Sequence, residues 1–309
     1  MRAAIQPAEA GRAAYRRPRI PVFEREAPLG YLLLAPALLV LLVFLAYPFV
    51  IGLWLSVTDS EAGAIGRFVG LANYRFEFTH DRVFLSSISN TFVYTAVTTV
   101  FKLVLGLVMA VLLNQAFPFQ RFVRAALLLP FIIPTVLSTL AWRWMFDPTF
   151  SVINWVATHS GIARQGVNWF GSPQMAMVSL IVVNVWRGAP FYGISFLAGL
   201  QVIPIELYEA ARVDGGTRWQ QFLHITLPML RPVLLVVLLL STILTFADFQ
   251  LPFVLTNGAP YSSSHVLATW AYAQAIQGGN LGIGAAVSLV LFPVLSVVIA
   301  GVLIVLRHE

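Results

Sequence analysis

The chain has 309 residues, of which 59% are hydrophobic and only 10% are charged. This composition is too apolar for a water-soluble domain of that length and indicates a membrane protein. The net charge of +6 needs no nucleic-acid partner, because membrane proteins gather basic residues on one side of the bilayer. The absence of cysteine excludes disulfides, thiolate metal sites and cysteine nucleophiles.

Residues 1–28 form an arginine-rich tail that precedes the first long apolar run. That run is longer than the core of a secretory signal, so we interpret it as a retained helix. With the tail inside, twelve arginines fall on the inner side of the membrane and five on the outer side. Because basic residues favour the inner side, both termini are expected to be cytoplasmic.

The hydrophobic pattern predicts an all-α polytopic membrane protein. A membrane span needs about 20 mainly apolar residues, and inside hydrocarbon its backbone must satisfy its own hydrogen bonds as a helix. Six such segments occur, and residues 29–309 are therefore expected to form one transmembrane domain. The predicted spans are 29–57, 91–113, 122–145, 175–200, 232–255 and 283–306.

Residues 266–276 lie in the last segment that this arrangement places outside the membrane. They are apolar but too short to span, which favours a helix lying at the surface or in the interface. A docking surface for an external partner and simple packing onto the helix ends are both compatible with this pattern.

The segment 201–231 is a polar break between the fourth and fifth predicted spans. Pro204 suits the first turn of a short helix, and Gly215 and the glycine after it end that helix. Thr217 can cap a second short helix before Pro228 leads into the fifth span. Two short helices at the membrane surface could form an exposed knob for a partner, or merely close the loop.

The spacing in this segment resembles the Glu-Ala-Ala loop of permeases from binding-protein-dependent ABC importers. A glycine, an isoleucine and a proline follow Glu209 after six, sixteen and nineteen residues, as in that family. The extended pattern is most similar to the first permease subunit of maltose and glycerol-3-phosphate importers, which implies the type I importer fold. The matching residues are Glu209, Ala210, Ala211, Asp214, Gly215, Phe222, Ile225, Leu227 and Pro228.

The resemblance implies a coupling helix that seats in a cleft of a cytoplasmic ATPase. Glu209 would contact that partner, the two alanines would allow close approach, and Gly215 would form the bend. The implied assembly contains a second homologous permease subunit, two ATPase subunits and an external solute-binding protein, in the inner membrane of a prokaryote. ATP and magnesium would bind in the ATPase subunits.

Ionisable residues within predicted spans are costly and therefore informative. Arg187 and Asp248 either pair with each other or face a solute, and Lys102 has no assigned partner. Arg187 and Ala247 depart from the maltose pattern, and the cation would also suit an anionic cargo such as a glycerol phosphate. The predicted substrate path comprises Asp248 and the positions that match sugar contacts in maltose-type permeases. These positions are Phe131, Thr135, Asn184, Arg187, Gly188, Phe191, Phe246, Ala247 and Gln250.

In this set the amides can bond hydroxyl groups and the phenylalanines can stack on a pyranose face. Packing against other helices is the alternative for each aromatic side chain.

Other function classes fit less well. Lys102 is the only lysine and lacks the preceding glycine of a phosphate-binding loop, so ATP hydrolysis must reside elsewhere. The five histidines show no metal-ligand spacing, and no nucleophile with a base is found, so neither an enzyme nor a metal site is expected. An amino-acid or peptide importer remains the main alternative. An ion-coupled secondary transporter would need related halves, which the sequence does not show.

Overall fold

A computed structural model describes residues 26–307, and all the regular elements within that range are helical. The chain divides into two units, residues 1–51 and 52–309. The described part of the first unit is α1 (Glu26–Leu41), a π-helical turn (Leu42–Ala46) and the beginning of α2 (Tyr47–Ser56). The predicted tail lies outside the described residues, apart from the helical backbone of 26–28.

The second unit contains the end of α2 and the remaining helices. Two further π-helical turns, Phe222–Thr226 and Ala273–Gln277, continue α10 and α13 respectively. The helices are α3 (Ala72–His80), α4 (Arg82–Leu113), α5 (Gln120–Ile132), α6 (Thr135–Met145), α7 (Val152–His159), α8 (Pro173–Leu200), α9 (Ile205–Val213), α10 (Arg218–Gln221), α11 (Leu227–Phe246), α12 (Gln250–Leu255), α13 (Leu267–Tyr272) and α14 (Leu281–Arg307).

Five continuous helical segments are long and apolar enough to cross a membrane, and a bent pair, α5 with α6, supplies a sixth span. The predicted number of spans is thereby confirmed, with the bent pair counted as one. The five are Gly30–Ser56, Arg82–Leu113, Pro173–Leu200, Arg218–Phe246 and Leu281–Gly301.

The third span is not the continuous helix predicted for 122–145. The axes of α5 and α6 meet at 91°. Pro134 has no N–H, and its ring pushes the preceding residue out of the helical region. Ile133 accordingly adopts an extended conformation, with ψ of 132°, and α5 ends there.

The fifth span begins earlier than predicted, and the separate second short helix of the loop is absent. Helix α10, the π-helical turn and α11 run without interruption from Arg218 to Phe246. The N–H of Leu227 donates to the carbonyl of Phe222, five residues back. This wider turn stands directly before Pro228, which has no N–H to donate, so the chain stays helical through the proline instead of restarting after it.

The fifth span also ends earlier than predicted, at Phe246 instead of residue 255. Residues 247–249 break the helix, and α12 follows. The Asp248 Oδ1 atom accepts a hydrogen bond of 3.3 Å from the N–H of Leu251, which supports the first turn of α12. The break leaves a carboxylate inside the membrane domain.

Helices α4 and α8 pack along their length and form the centre of the second unit. Glycines permit the close approach. A Cβ atom added at Gly106 would lie 2.3 Å from Cβ of Tyr192, and one at Gly193 would lie 3.0 Å from Cβ of Met109. Small residues at helix crossings are a common means of close packing in membrane proteins.

Helix α13 lies within the external segment predicted to contain a surface helix. Leu267 and Ala271 are buried together with Phe84 of α4 and Val287 of α14. Two alternatives were open for residues 266–276, a docking surface and packing onto the helix ends. The side chains of Leu267 and Ala271 show the packing.

We predict that Gly106→Ala destabilises the protein by about 1–3 kcal/mol, since the added methyl group overpacks the contact between α4 and α8. Thermal unfolding of the purified protein in detergent measures the effect. Gly301→Ala in α14 is the matched control, because its new Cβ meets nothing within 4 Å. An equal loss of stability in the two variants would contradict the close approach described above.

Candidate functional site

A cavity of about 510 Å³ opens beside the breaks in the third and fifth spans. It is bounded by α4, α5, α6, α8 and the segment from α11 to α12. Nine of the ten predicted substrate-path residues line it. These are Phe131, Thr135, Asn184, Arg187, Gly188, Phe191, Ala247, Asp248 and Gln250. The structure adds Lys102, Ser241, Leu244, Thr245 and Phe249.

Phe246 is the one predicted path residue that does not line the cavity. Its side chain is only 3% exposed, and its ring packs edge to face against Phe92 of α4, with 5.3 Å between the ring centres. The Phe246 side chain therefore packs between helices and is not exposed to the cavity. As the last residue of α11, it turns toward α4 while the following residues face the cavity.

Lys102 ties three helices together at the cavity wall. Only 2% of its surface is exposed. Its Nζ atom donates to Oδ1 of Asn184 on α8 at 3.0 Å and to Oγ1 of Thr245 on α11 at 2.8 Å. A buried ammonium group needs such acceptors, because its removal from water is otherwise very costly. Lys102, which the sequence left without a partner, thus has two.

A second set of hydrogen bonds holds the Asp248 carboxylate. Its Oδ2 atom accepts from the hydroxyl of Tyr94 at 2.8 Å and from Nδ2 of Asn184 at 3.2 Å. The same Nδ2 also donates to the Tyr94 hydroxyl at 2.6 Å. Asn184 therefore uses its oxygen for Lys102 and its nitrogen for Tyr94 and Asp248. We refer to Tyr94, Lys102, Asn184, Thr245 and Asp248 as the polar cluster.

Arg187 and Asp248 do not pair with each other. All partners of the carboxylate are neutral groups. The Nε atom of Arg187 is buried and has no hydrogen-bond partner within residues 26–307. Of the two sequence alternatives, direct pairing is wrong, and Arg187 instead lines the cavity as a second cation.

Part of the cavity wall is aromatic. The rings of Phe131 and Phe191 stack with 5.4 Å between their centres and an angle of 20° between their planes. Phe131 remains 42% exposed. The cavity therefore combines aromatic rings with polar groups, and its lining includes the exposed amide of Gln250.

Sequence reasoning missed Tyr94 and Thr245 of the polar cluster and assigned no partner to Lys102, although α4 carries a signal for the cluster. Polar residues recur along this otherwise apolar span at helical spacing, so they share one face. That face is buried against the other helices of the second unit. Its members are Ser87, Thr91, Tyr94, Thr95, Thr98 and Lys102.

The segment predicted to couple to an ATPase forms an exposed helix that ends in a glycine cap. Glu209, Ala210 and Asp214 are exposed on α9 and at its end. Gly215 has a φ of +77°, and the N–H of the next residue donates to the carbonyl of Ala211 at 2.7 Å. This is the hydrogen-bond pattern of a helix end closed by a left-handed glycine.

The later residues of the coupling pattern are anchored. Phe222, Ile225 and Leu227 are half-buried, while Pro228 is exposed. Ile225 packs against a core that includes Leu200 and Leu230. The pattern therefore divides into a projecting part, up to Gly215, and a part held by the membrane helices.

No group of three His, Asp or Glu side chains within residues 26–307 is arranged to hold a metal ion.

The sequence profile of a family described as "Binding-protein-dependent transport system inner membrane component" matches residues 102–307. This chain belongs to that family. It is 37% identical to the trehalose/maltose transport system permease protein MalF of Thermococcus litoralis, over 87% of this chain and 90% of that protein. It is 34% identical to the sulfoquinovosyl glycerol transport system permease protein SmoG of Agrobacterium fabrum, over 91% of each.

The fold is also that of a solved permease. A chain in the crystal structure of a bacterial ABC transporter for import of the acidic polysaccharide alginate gives a TM-score of 0.78 at 26% identity, over 91% of this chain and 95% of that one. A second structure, with an alginate pentasaccharide-bound periplasmic protein, gives 0.77 at 25% identity, over 89% and 92%. The chain is therefore a multi-pass membrane protein with the ABC importer permease fold.

We predict that Tyr94→Phe destabilises this permease by about 1–3 kcal/mol, because it removes a donor to a buried carboxylate. Thermal unfolding measures the loss. Tyr74→Phe is the control, since Tyr74 donates to Oγ of Ser56 at 2.9 Å in a partly exposed setting. The polar cluster would lose its assigned role if Tyr94→Phe were no more damaging than Tyr74→Phe.

Proposed function

We propose that this chain is the permease subunit of an ATP-driven importer that takes up a sugar or sugar derivative delivered by an external solute-binding protein. The observation that carries the proposal is the cavity of about 510 Å³ at the breaks of two spans. Packing alone favours apolar contacts between membrane helices. A cavity lined by polar and aromatic side chains inside apolar spans is suited to a solute that crosses.

The proposed cargo class rests on the cavity and on the relatives together. The relatives are named for trehalose and maltose, for sulfoquinovosyl glycerol and for alginate, which are all carbohydrates or carbohydrate derivatives. The stacked pair Phe131 and Phe191 offers a face for a sugar ring, and Gln250 offers an amide for hydroxyl groups. An amino-acid or peptide cargo is the alternative that the cargo experiment below decides.

Coupling is proposed to enter through the segment 201–231. The exposed part of α9 would seat in a cleft of a cytoplasmic ATPase, with Glu209 at the contact. A single ion pair at a wet rim contributes little, so the shape set by the Gly215 cap would carry most of the interaction. Two ATPase subunits, which bind ATP and magnesium, and a second permease subunit of this fold would complete the membrane assembly.

The helix that follows the cap supports this route. From Arg218 to Phe246 it is continuous, and its 29 residues span about 43 Å at 1.5 Å per residue. Its first residue adjoins the projecting loop. Its last residue stands at the break that lines the cavity. Closure of the ATPase pair would therefore move the cavity wall directly and switch the path between its inward-facing and outward-facing forms.

The same proposal fixes the orientation of the chain. In the inner membrane of a prokaryote, the segment 201–231 and both termini would face the cytoplasm, as the distribution of arginines favours. The external segments, including α13, would face the solute-binding protein.

We predict that Glu209→Lys and Gly215→Trp each abolish most solute uptake while the permease still inserts into the membrane. The first reverses the charge at the proposed ATPase contact. The second places a bulky side chain on the projecting surface, where a Cβ meets nothing within 4 Å of this chain. Uptake by cells that express the complete transporter measures the loss of transport. Recovery of the ATPase with the purified permease measures the loss of the proposed contact.

The matched controls are Glu61→Lys and Gly161→Trp, in segments on the other side of the membrane. Glu61 is exposed, and Gly161 has a positive φ of +75° with open surroundings, like Gly215. Both controls should leave ATPase recovery unchanged. Normal uptake by both test variants, at normal levels in the membrane, would remove the coupling assignment.

We predict that Gln250→Ala raises the KM for the transported solute about 3- to 10-fold, which corresponds to the loss of one hydrogen bond. Gln250 is the better probe of cargo contact, because the Asn184 amide is engaged in the polar cluster and its loss would also disturb folding.

The solute is first identified as the ligand that the associated binding protein retains, and sugars and amino acids are then compared as competitors for uptake. Gln174→Ala, an exposed amide at the start of α8 and outside the cavity, is the control. An unchanged KM in Gln250→Ala would place the path elsewhere. Retention of an amino acid or peptide by the binding protein would replace the sugar assignment and leave the coupling assignment standing.

A further inference from the structure

A second cavity lies away from the proposed path, where α4 ends and the long helix of the fifth span begins. It is a groove of about 520 Å³, and almost all of its wall is apolar. Of the described residues that line it, Arg218 alone is charged. The others are Leu107, Val108, Val111, Leu112, Trp219 and Phe222.

The groove adjoins a smaller and more polar cavity of about 190 Å³. Val111, Arg218 and Phe222 line both. The smaller cavity adds Asn114, Leu200, Tyr208, Gln221 and Thr226, with 2.9 Å between the hydroxyls of Tyr208 and Thr226. Arg218 therefore stands at the boundary between an apolar groove and a polar cavity.

Arg218 and the neighbouring Trp219 are both available for a ligand. Arg218 is exposed, and its side chain has no hydrogen-bond or salt-bridge partner within residues 26–307. Trp219 is 67% exposed and stacks on Phe222, with 5.6 Å between the ring centres. A cation beside an amphipathic aromatic ring is the residue pair typical of the level of lipid headgroups.

The position of the groove places it in the bilayer. Leu107, Val108, Val111 and Leu112 belong to the membrane span Arg82–Leu113 and occupy its last two turns. Helix α9 and its glycine cap adjoin the same end. The groove therefore lies in the membrane leaflet on the side of the coupling segment.

We infer that these two cavities together bind an anionic phospholipid. One acyl chain lies in the apolar groove, the phosphate contacts the Arg218 guanidinium, and the remaining polar headgroup atoms occupy the smaller cavity. The amphipathic shape and the unpartnered cation match this ligand, because a juxtamembrane arginine attracts anionic lipid. An apolar protein helix in the groove would instead bury the guanidinium without a counter-charge, which is costly.

The experiment uses quenching of Trp219 fluorescence by lipids with brominated acyl chains. The transporter with its partner subunits is reconstituted in phosphatidylcholine that contains brominated phosphatidylglycerol or, in a parallel sample, brominated phosphatidylcholine. Subtraction of the emission of Trp219→Phe protein isolates the signal of Trp219. We expect phosphatidylglycerol to be preferred about 5-fold, as one arginine at the membrane surface allows.

Arg218→Gln should reduce this preference to about 1. Arg121→Gln, which removes an exposed cation that lines neither cavity, should leave it unchanged. Val108→Phe narrows the groove and should weaken quenching by both lipids, which tests the site without changing its charge.

Three results would overturn the inference. Quenching by neither lipid would show that a protein surface covers the groove. Equal quenching of the native protein by both lipids would remove the headgroup contact. A preference that survives Arg218→Gln would assign the selectivity to another cation.

Discussion

The buried ammonium group of Lys102 is the constraint on which the membrane domain depends. It lies on α4, yet its two acceptors, Asn184 and Thr245, belong to α8 and α11. In an apolar medium an unpaired ammonium is so costly that the three helices must stay close enough to satisfy it. The same contact orients the amide of Asn184, whose nitrogen donates hydrogen bonds to Tyr94 and Asp248. One buried ammonium group is thus connected by hydrogen bonds, directly or through Asn184, to the wall of the cavity and to the break after α11.

Closely packed and irregular parts are separated within this arrangement. Helices α4 and α8 are locked at Gly106 and Gly193, where the backbones approach too closely for even a methyl group. The third and fifth spans carry the irregular backbone, at Ile133 and at residues 247–249, and both breaks adjoin the cavity. Irregular backbone inside a membrane domain is tolerated where it lines a cavity, since water or solute can satisfy it. The proposed path therefore lies where the spans are least regular.

The sequence predicted the features that depend on local composition and spacing. Long apolar runs gave the six spans, and the interval between Glu209 and Gly215 located the projecting loop. Features that depend on several distant residues were not predictable in this way. The partners of Lys102 lie 82 and 143 positions further along the chain, so no local pattern assigns them. Pro228 favours a helix start in sequence, and only the π-helical turn before it explains why α11 continues through that point. The orientation of Phe246 likewise depends on Phe92 of another helix.

The formal charges around the cavity have a consequence for the energy stored across the membrane. Lys102 and Arg187 face it with two positive charges, whereas Asp248 contributes one negative charge. An excess of fixed positive charge raises the energy of sodium ions and hydronium in a pore, as arginine does in channels that exclude protons. A neutral solute does not meet this barrier. Such a passage could therefore open for a neutral solute without dissipating the ion gradients of the cell.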